Sequence, residues 1–189
     1  QYAYTLDQFD GRTVDDRHAS TASTTTAWDD GDSTFGYLTT NRTDFANDGV
    51  IPEFSSRDGW TYGLGLSHTH AAKCRYLTAV ALGADVEFAD LQGSTFAYRG
   101  FATYAAGEVP LNDRLSIILE GGWGYRDYYR ATVTPDRNEF IWRGGTRLLY
   151  RIDEYWSVAA IFKYDRFDSN NSLFDSDRTI VGFVTAFVF

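Results

Sequence analysis

The sequence predicts an all-β fold, a closed antiparallel transmembrane β-barrel of eight to ten strands, from three observations. From about residue 33 onward, bulky apolar residues alternate with small or charged ones in blocks of roughly 11 to 16 residues. Strands of globular sheets usually have about 5 to 6 residues, whereas a tilted strand that crosses a bilayer needs about 9 to 11. Short and longer turn-rich connections also alternate along the chain, as in barrels with one periplasmic and one extracellular side.

The strands are predicted in order from the spacing of the bulky side chains. Residues 1–32 leave two alternatives open: strands at 2–9 and 20–28, which gives ten in total, or a periplasmic or plugging N-terminal segment before eight strands. The polar run 20–26 offers lipid almost no apolar face, so the choice between them stays open. All of residues 1–189 are predicted to form one domain. The other strands are expected at 34–45, 60–71, 76–90, 95–107, 115–129, 140–152, 156–165 and 178–189.

Each block has one bulky apolar face and one face of small or charged residues. Because Gly and Ala are mixed with ionic residues on this second face, it suits a narrow enclosed interior better than bulk water. Closure is expected, since an open sheet edge in lipid would leave backbone groups unpaired. In 34–45 and 95–107 the aromatic residues, including Tyr37 and Tyr104, are assigned to the lipid-facing side.

Composition excludes several other classes of protein. Aromatic residues make up 17% of the chain, which argues against disorder, and no apolar run reaches the ~20 residues of a membrane helix. A net charge of −9 argues against a nucleic-acid partner. The single cysteine excludes an internal disulfide framework, and no cofactor or metal is expected. Gln1 is interpreted as a mature N-terminus left after a signal peptide was removed.

The C-terminal stretch, Val-Gly-Phe-Val-Thr-Ala-Phe-Val-Phe, resembles the terminal signature of bacterial outer-membrane β-barrel proteins. The matching residues are Val181, Phe183, Phe187 and the final Phe189. The resemblance implies a location in the outer membrane of a Gram-negative cell. It also implies that the barrel-assembly machinery recognises this strand during biogenesis. Lipids of the outer membrane, including lipopolysaccharide, and other envelope subunits are the partners expected beside it.

The face assigned to the interior forms a candidate charge network. Its members are Arg42, Asp44, Asp85, Glu87, Arg99, Glu120, Arg126, Arg143, Arg147, Lys163 and Asp165. Cations and anions are nearly equal in number, which is what mutual pairing would produce, and a barrel of about eight strands is just wide enough for side chains to fill. The leading interpretation is therefore a structural or scaffold barrel with a filled lumen.

Two other classes of function remain open. A narrow channel for ions or small solutes is indicated by Arg99, Arg126, Arg143 and Arg147 on one side of the lumen. A lipid-modifying enzyme would use His68 or His70, which share the outward face near the periplasmic rim. Ser67 beside them faces inward, so no catalytic triad is recognised and no enzyme activity is expected.

Overall fold

The computed structural model describes residues 2–9, 12–45, 56–130 and 136–187 of the chain. These residues form ten β-strands and a short 3₁₀ helix, Ser172–Phe174, between the last two strands. None of them lies in a helix that is long and apolar enough to cross a membrane. The strands are β1 (Tyr2–Phe9), β2 (Arg12–Ala27), β3 (Ser33–Phe45), β4 (Gly59–Cys74), β5 (Leu77–Leu91), β6 (Tyr98–Pro110), β7 (Leu115–Asp127), β8 (Asn138–Arg151), β9 (Trp156–Ser169) and β10 (Ser176–Phe187).

The ten strands form a single antiparallel sheet in which each strand pairs with its neighbours in sequence, from β1 to β10. The sequence-predicted all-β antiparallel architecture is therefore present. In the N-terminal region, β2 begins well before residue 20 and pairs with β3 from Asp15 opposite Phe45 to Ala27 opposite Ser33. No ladder joins the described residues of β10 to those of β1, so the sheet is curled but its closure is not established.

Burial on this sheet is the reverse of burial in a water-soluble sandwich. Large apolar side chains on one face are exposed, for example Leu66 at 61%, Leu82 at 61% and Phe183 at 79%. Few apolar residues of the described strands are buried, and most of them are alanines. They lie on the opposite face: Ala89, Ala102, Ile141 and Ala159. The alternation along β4 and β5 follows the predicted phase, with bulky residues exposed and Gly, Ala and acidic residues less so.

The face that carries the small and charged residues is concave. Side chains of five consecutive strands, from Asp85 on β5 to Asp165 on β9, line a single cavity of about 320 Å³. In a flat sheet, four spacings of about 4.8 Å would hold these two strands about 19 Å apart. The sheet therefore curls toward this side. The two sides are called here the concave face and the convex face.

Candidate functional site on the concave face

Most of the predicted lumen charges lie together on the concave face. The ladder registers place the following residues there: Asp85, Glu87, Glu120, Arg126, Arg143, Arg147, Lys163 and Asp165. They come from four strands, β5, β7, β8 and β9. By contrast, the central concave residues of β3 and β4 are uncharged, among them Thr39, Asn41 and Thr61. On the concave face, the predicted charge network is therefore confined to the half of the sheet from β5 to β9.

Three predicted members of the network lie on the other face. Arg42 pairs in register with Trp60, and Arg99 pairs with Phe88, both on the convex face; Asp44 shares the face of Arg42. The predicted phases of β3 and β6 are thus wrong, and Arg42, Asp44 and Arg99 do not line the interior. On the convex face Arg42 and Asp44 form an ion pair with each other. Arg99 forms one with Asp127.

The error comes from tyrosines that point inward. Tyr37 lies over Gly65, whose hypothetical Cβ would be 2.2 Å from the tyrosine Cε1 atom, and Tyr104 covers Gly83 in the same way. A glycine on the neighbouring strand leaves the space that a ring needs to lie against the concave face. Because an aromatic residue is ordinarily the lipid-facing member of such an alternation, the sequence-based phase was assigned the wrong way round.

Ion pairs connect most of the concave charges across the sheet. Arg126 Nη2 lies 3.1 Å from Glu87 Oε2, and Lys163 Nζ lies 2.7 Å from Glu120 Oε1. Each of these pairs spans an intervening strand. Arg178, which is not a member of the predicted network, donates from Nε to Asp165 Oδ2 at 3.0 Å. These contacts compensate charges that have partly lost their hydration, so removing one partner should cost more than an exposed ion pair would contribute.

Glycines on the intervening strands make room for these pairs. A Cβ at Gly100 would lie 3.0 Å from Arg126 Cγ, and one at Gly145 would lie 2.8 Å from Glu120 Oε1. A side chain at either position would therefore displace the Glu87–Arg126 or the Glu120–Lys163 pair. The small residues of the concave face thus have a specific role in positioning the charges.

Two arginines differ from the paired cations. Arg143 is exposed in the 320 Å³ cavity, and among the described residues it forms no hydrogen bond or ion pair. It does lie within electrostatic range of Asp85. Arg147, on the same face of β8, has a buried Nε with no hydrogen-bond partner in the described part of the chain. The concave face therefore retains cationic groups that are not fully compensated.

A second cavity lies toward the end of the sheet that carries the β3–β4, β5–β6, β7–β8 and β9–β10 connections, called here the long-connection end. It has a volume of about 460 Å³ and mixes polar and apolar side chains from β2 to β5 and the adjoining segment. Its lining includes Arg17, Asn41, Phe45, Arg57 and Glu87. Glu87 thus belongs to this cavity and also pairs with Arg126. The concave face contains open space at two levels, which a lumen completely filled by side chains would not have.

The two histidines of β4, His68 and His70, lie on the convex face, as their spacing predicts, and share an acidic partner from the β2–β3 turn. Asp32 Oδ2 lies 2.9 Å from His70 Nδ1 and 3.3 Å from His68 Nε2. The Ala71 backbone N–H donates to Asp32 Oδ1 at 2.9 Å, and Thr34 Oγ1 lies 3.0 Å from His68 Nδ1. No group of three or more His, Cys, Asp or Glu suited to a metal ion occurs among the described residues.

The terminal-strand signature lies on the convex face in its described part. Val181, Phe183 and Phe187 pair in register with Phe162, Ala160 and Trp156 of β9. Phe189 lies outside the described residues.

Comparison with known proteins gives little further information. No protein-family model matches the chain. No curated protein matches it either. A solved structure described as a KdgM porin in complex with disordered oligogalacturonate is 12% identical to it, and the match covers 93% of this chain and 99% of that chain with a TM-score of 0.34. A TM-score of this size does not establish a common fold, so the likeness decides neither the closure of the sheet nor the function.

Proposed function

We propose that the protein is an outer-membrane β-barrel in which β10 closes onto β1. The convex face supports this assignment because none of the described segments covers its large apolar residues. The nine strands β2 to β10 have 12 to 16 residues and, tilted at about 45°, would span roughly 28 to 37 Å, which matches a bilayer of about 30 Å. The described part of β1 is shorter, at 8 residues. Closure would satisfy the backbone groups at the two open edges within the lipid.

Aromatic residues on the convex face support the same assignment. Near the long connections, Trp60, Tyr62, Phe88 and Tyr129 form a continuous row with ring centroids 5.6 to 6.5 Å apart. At the other end, Trp156 packs against Phe187 at 5.4 Å. Such rows are typical of the interfacial girdles of transmembrane barrels, since an amphipathic ring is favoured at the level of the headgroups.

The function we propose for this barrel is a narrow channel that favours small anions. The observation on which this depends is Arg143, an exposed cation without an ion pair among the described residues, beside the 320 Å³ cavity of the concave face. Ten strands give a wider lumen than the eight that side chains just fill. A guanidinium that no ion pair neutralises, on the wall of a narrow polar pathway, lowers the free energy of an anion beside it relative to a cation.

Arg143→Gln and Arg143→Glu, measured in planar bilayers under a salt gradient, test the proposal. We expect the reversal potential to shift toward cation preference in the order wild type, Gln variant, Glu variant, because each change makes the wall less positive. Arg42→Gln is the matched control, since Arg42 lies on the convex face and already pairs with Asp44. An unchanged reversal potential in both Arg143 variants would reject a role for this residue in selectivity.

A structural barrel without conductance is the second candidate. The observation that favours it is the set of cross-strand ion pairs on the concave face, Glu87–Arg126, Glu120–Lys163 and Asp165–Arg178. In that case the purified protein would insert into bilayers without producing discrete current steps. The two candidates therefore give opposite results in the same recording.

A further inference from the structure

A buried cluster on the concave face joins three of the connections at the long-connection end. It has no part in the channel function proposed above. Its centre is Arg137, which directly precedes β8 and is 6% exposed. The Arg137 Nε donates to Glu139 Oε1 at 3.0 Å, and Glu139 is 3% exposed. The Tyr128 hydroxyl donates to the other carboxylate oxygen of Glu139 at 2.7 Å. The cluster, defined as Arg137, Glu139, Tyr128 and Phe174, therefore contains a fully partnered buried carboxylate.

Aromatic rings bind the guanidinium from two connections. The Arg137 Cζ atom lies 3.8 Å from the ring centroid of Tyr128 and 3.7 Å from that of Phe174. Contacts of a cation with ring faces at such distances are favourable, more so where water is excluded. Burial, together with the nearby Glu139 carboxylate, raises the pKa of the Tyr128 phenol, so this hydroxyl stays protonated and remains a donor.

The same arginine also reaches a third connection. Its Nη1 donates to the Thr95 carbonyl oxygen, between β5 and β6, at 3.1 Å. Tyr128 follows β7, and Phe174 precedes β10. One side chain thus connects the β5–β6, β7–β8 and β9–β10 segments across the ends of the strands. Removing it would leave the buried Glu139 carboxylate without its charge partner.

The cluster lies over the concave side. Glu139 pairs in register with Arg126, and a backbone hydrogen bond from the Tyr128 N–H to the Arg137 carbonyl oxygen continues the same ladder. Tyr128 packs on Tyr98 at 5.4 Å, and Arg126 lies 4.4 Å from the Tyr98 ring centroid. The network therefore runs from the connections down to the Glu87–Arg126 ion pair. Open space of about 460 Å³ lies on the β2–β5 side of this pair.

We propose that the Arg137 cluster is the constriction of the pore at its long-connection end, and that solutes pass it through the cavity lined by β2 to β5. This inference rests on the proposed channel function. The residue that sets the width of the opening is then Arg137, through the three segments that it holds together, while Arg143 deeper in the lumen sets the charge preference.

Arg137→Ala tests the proposal by single-channel recording, with polyethylene glycols of increasing size as probes of the permeable diameter. Loss of the guanidinium should release the three segments, so we expect conductance to rise about twofold or more and larger polymers to enter. Phe174→Ala, which leaves the Arg137–Glu139 pair intact, should give a smaller increase in conductance. This variant replaces Arg137→Ala as the test if Arg137→Ala does not assemble. Arg130→Ala is the control, since Arg130 is exposed and pairs with Asp90.

The possible results distinguish a failure of the proposed constriction from a failure of the proposed channel. Wild-type current with an unchanged Arg137→Ala conductance and polymer cut-off would overturn the constriction and leave the channel standing. A silent wild type beside a conducting Arg137→Ala variant would overturn the open passage through the cavity lined by β2 to β5, because the cluster would then close the pore completely. Silence in every variant that inserts into the bilayer would overturn both the channel and the constriction.

Discussion

Glycine at several positions of the concave face is required by close approach between strands. A Cβ at Gly122 on β7 would lie 2.4 Å from the Thr103 carbonyl oxygen of β6. A carbonyl cannot move away without disturbing the ladder that it belongs to, unlike the end of a flexible side chain. Gly144 on β8 is the opposite case, with no atom within 4 Å of its hypothetical Cβ. The two residues are therefore a matched pair for testing how closely the strands pack.

Gly122→Ala is expected to lower the free energy of unfolding by about 1 to 3 kcal/mol, as other overpacked substitutions do. Gly144→Ala should stay within about 1 kcal/mol of the wild type, because the added methyl group meets open space. Denaturant unfolding in detergent micelles, followed by tryptophan fluorescence, measures both values. Equal stability of the two variants would contradict the close approach of β6 and β7 at Gly122.

At the scale of elements, the β2–β3 turn is joined to β4 through the side chain of Asp32. Gly31 adopts a positive φ of 96°, which the turn requires, and Asp32 then reaches β4. Hydrogen bonds with His70 and with the Ala71 backbone N–H hold the pKa of the Asp32 carboxyl below its usual value of 3.8. A carboxyl whose pKa is lowered by folding stabilises the folded state above its unfolded pKa, and this contribution is lost as the pH falls through the folded pKa.

Asp32→Asn should therefore destabilise the protein at neutral pH and reduce the loss of stability on acidification below about pH 3.8. The measurement is the free energy of unfolding as a function of pH, with Asp29→Asn in the same turn as the control. Asp29 is exposed, so its variant removes the same charge from the turn and leaves the Asp32 contacts in place. If Asp32→Asn and the wild type lose stability in parallel over this range, the Asp32 contacts do not stabilise the fold.

For the whole molecule, the distribution of apolar surface determines which solvent the protein requires. Its large apolar residues point away from the concave face, while small residues and ion pairs occupy the interior side of the sheet. Without lipid or detergent, this convex surface would drive aggregation. In the proposed bilayer setting, the edges of β1 and β10, which have no ladder partner among the described residues, add backbone groups that must find partners.

We therefore expect the full chain to require detergent for monodispersity and to migrate differently on SDS gels before and after boiling, as a closed barrel does. Deleting residues 1–11, which include β1, should abolish the boiled–unboiled difference, because β10 would lose its proposed partner. Monodisperse wild-type protein in detergent-free buffer, with its apolar face protected from solvent, would overturn the membrane assignment.

The sequence by itself determined the antiparallel sheet of long strands, because a period of two depends only on the local geometry of a strand. It also determined the phase of strands such as β4 and β5, where the bulky residues between the strand ends fall on one face. It failed in β3 and β6, since no local pattern shows that Tyr37 and Tyr104 lie over glycines of neighbouring strands. Only tertiary structure decides such matches.

For the candidate site too, some features follow from the sequence and others only from the tertiary structure. The inward positions of Glu87, Arg126 and Lys163 follow from alternation alone, but their partners depend on register and on curvature, which bring residues from non-adjacent strands together. Arg137 lies in a connection and has no periodicity to mark it. The tertiary structure alone places its guanidinium between Tyr128 and Phe174, because those rings come from segments far apart in the chain.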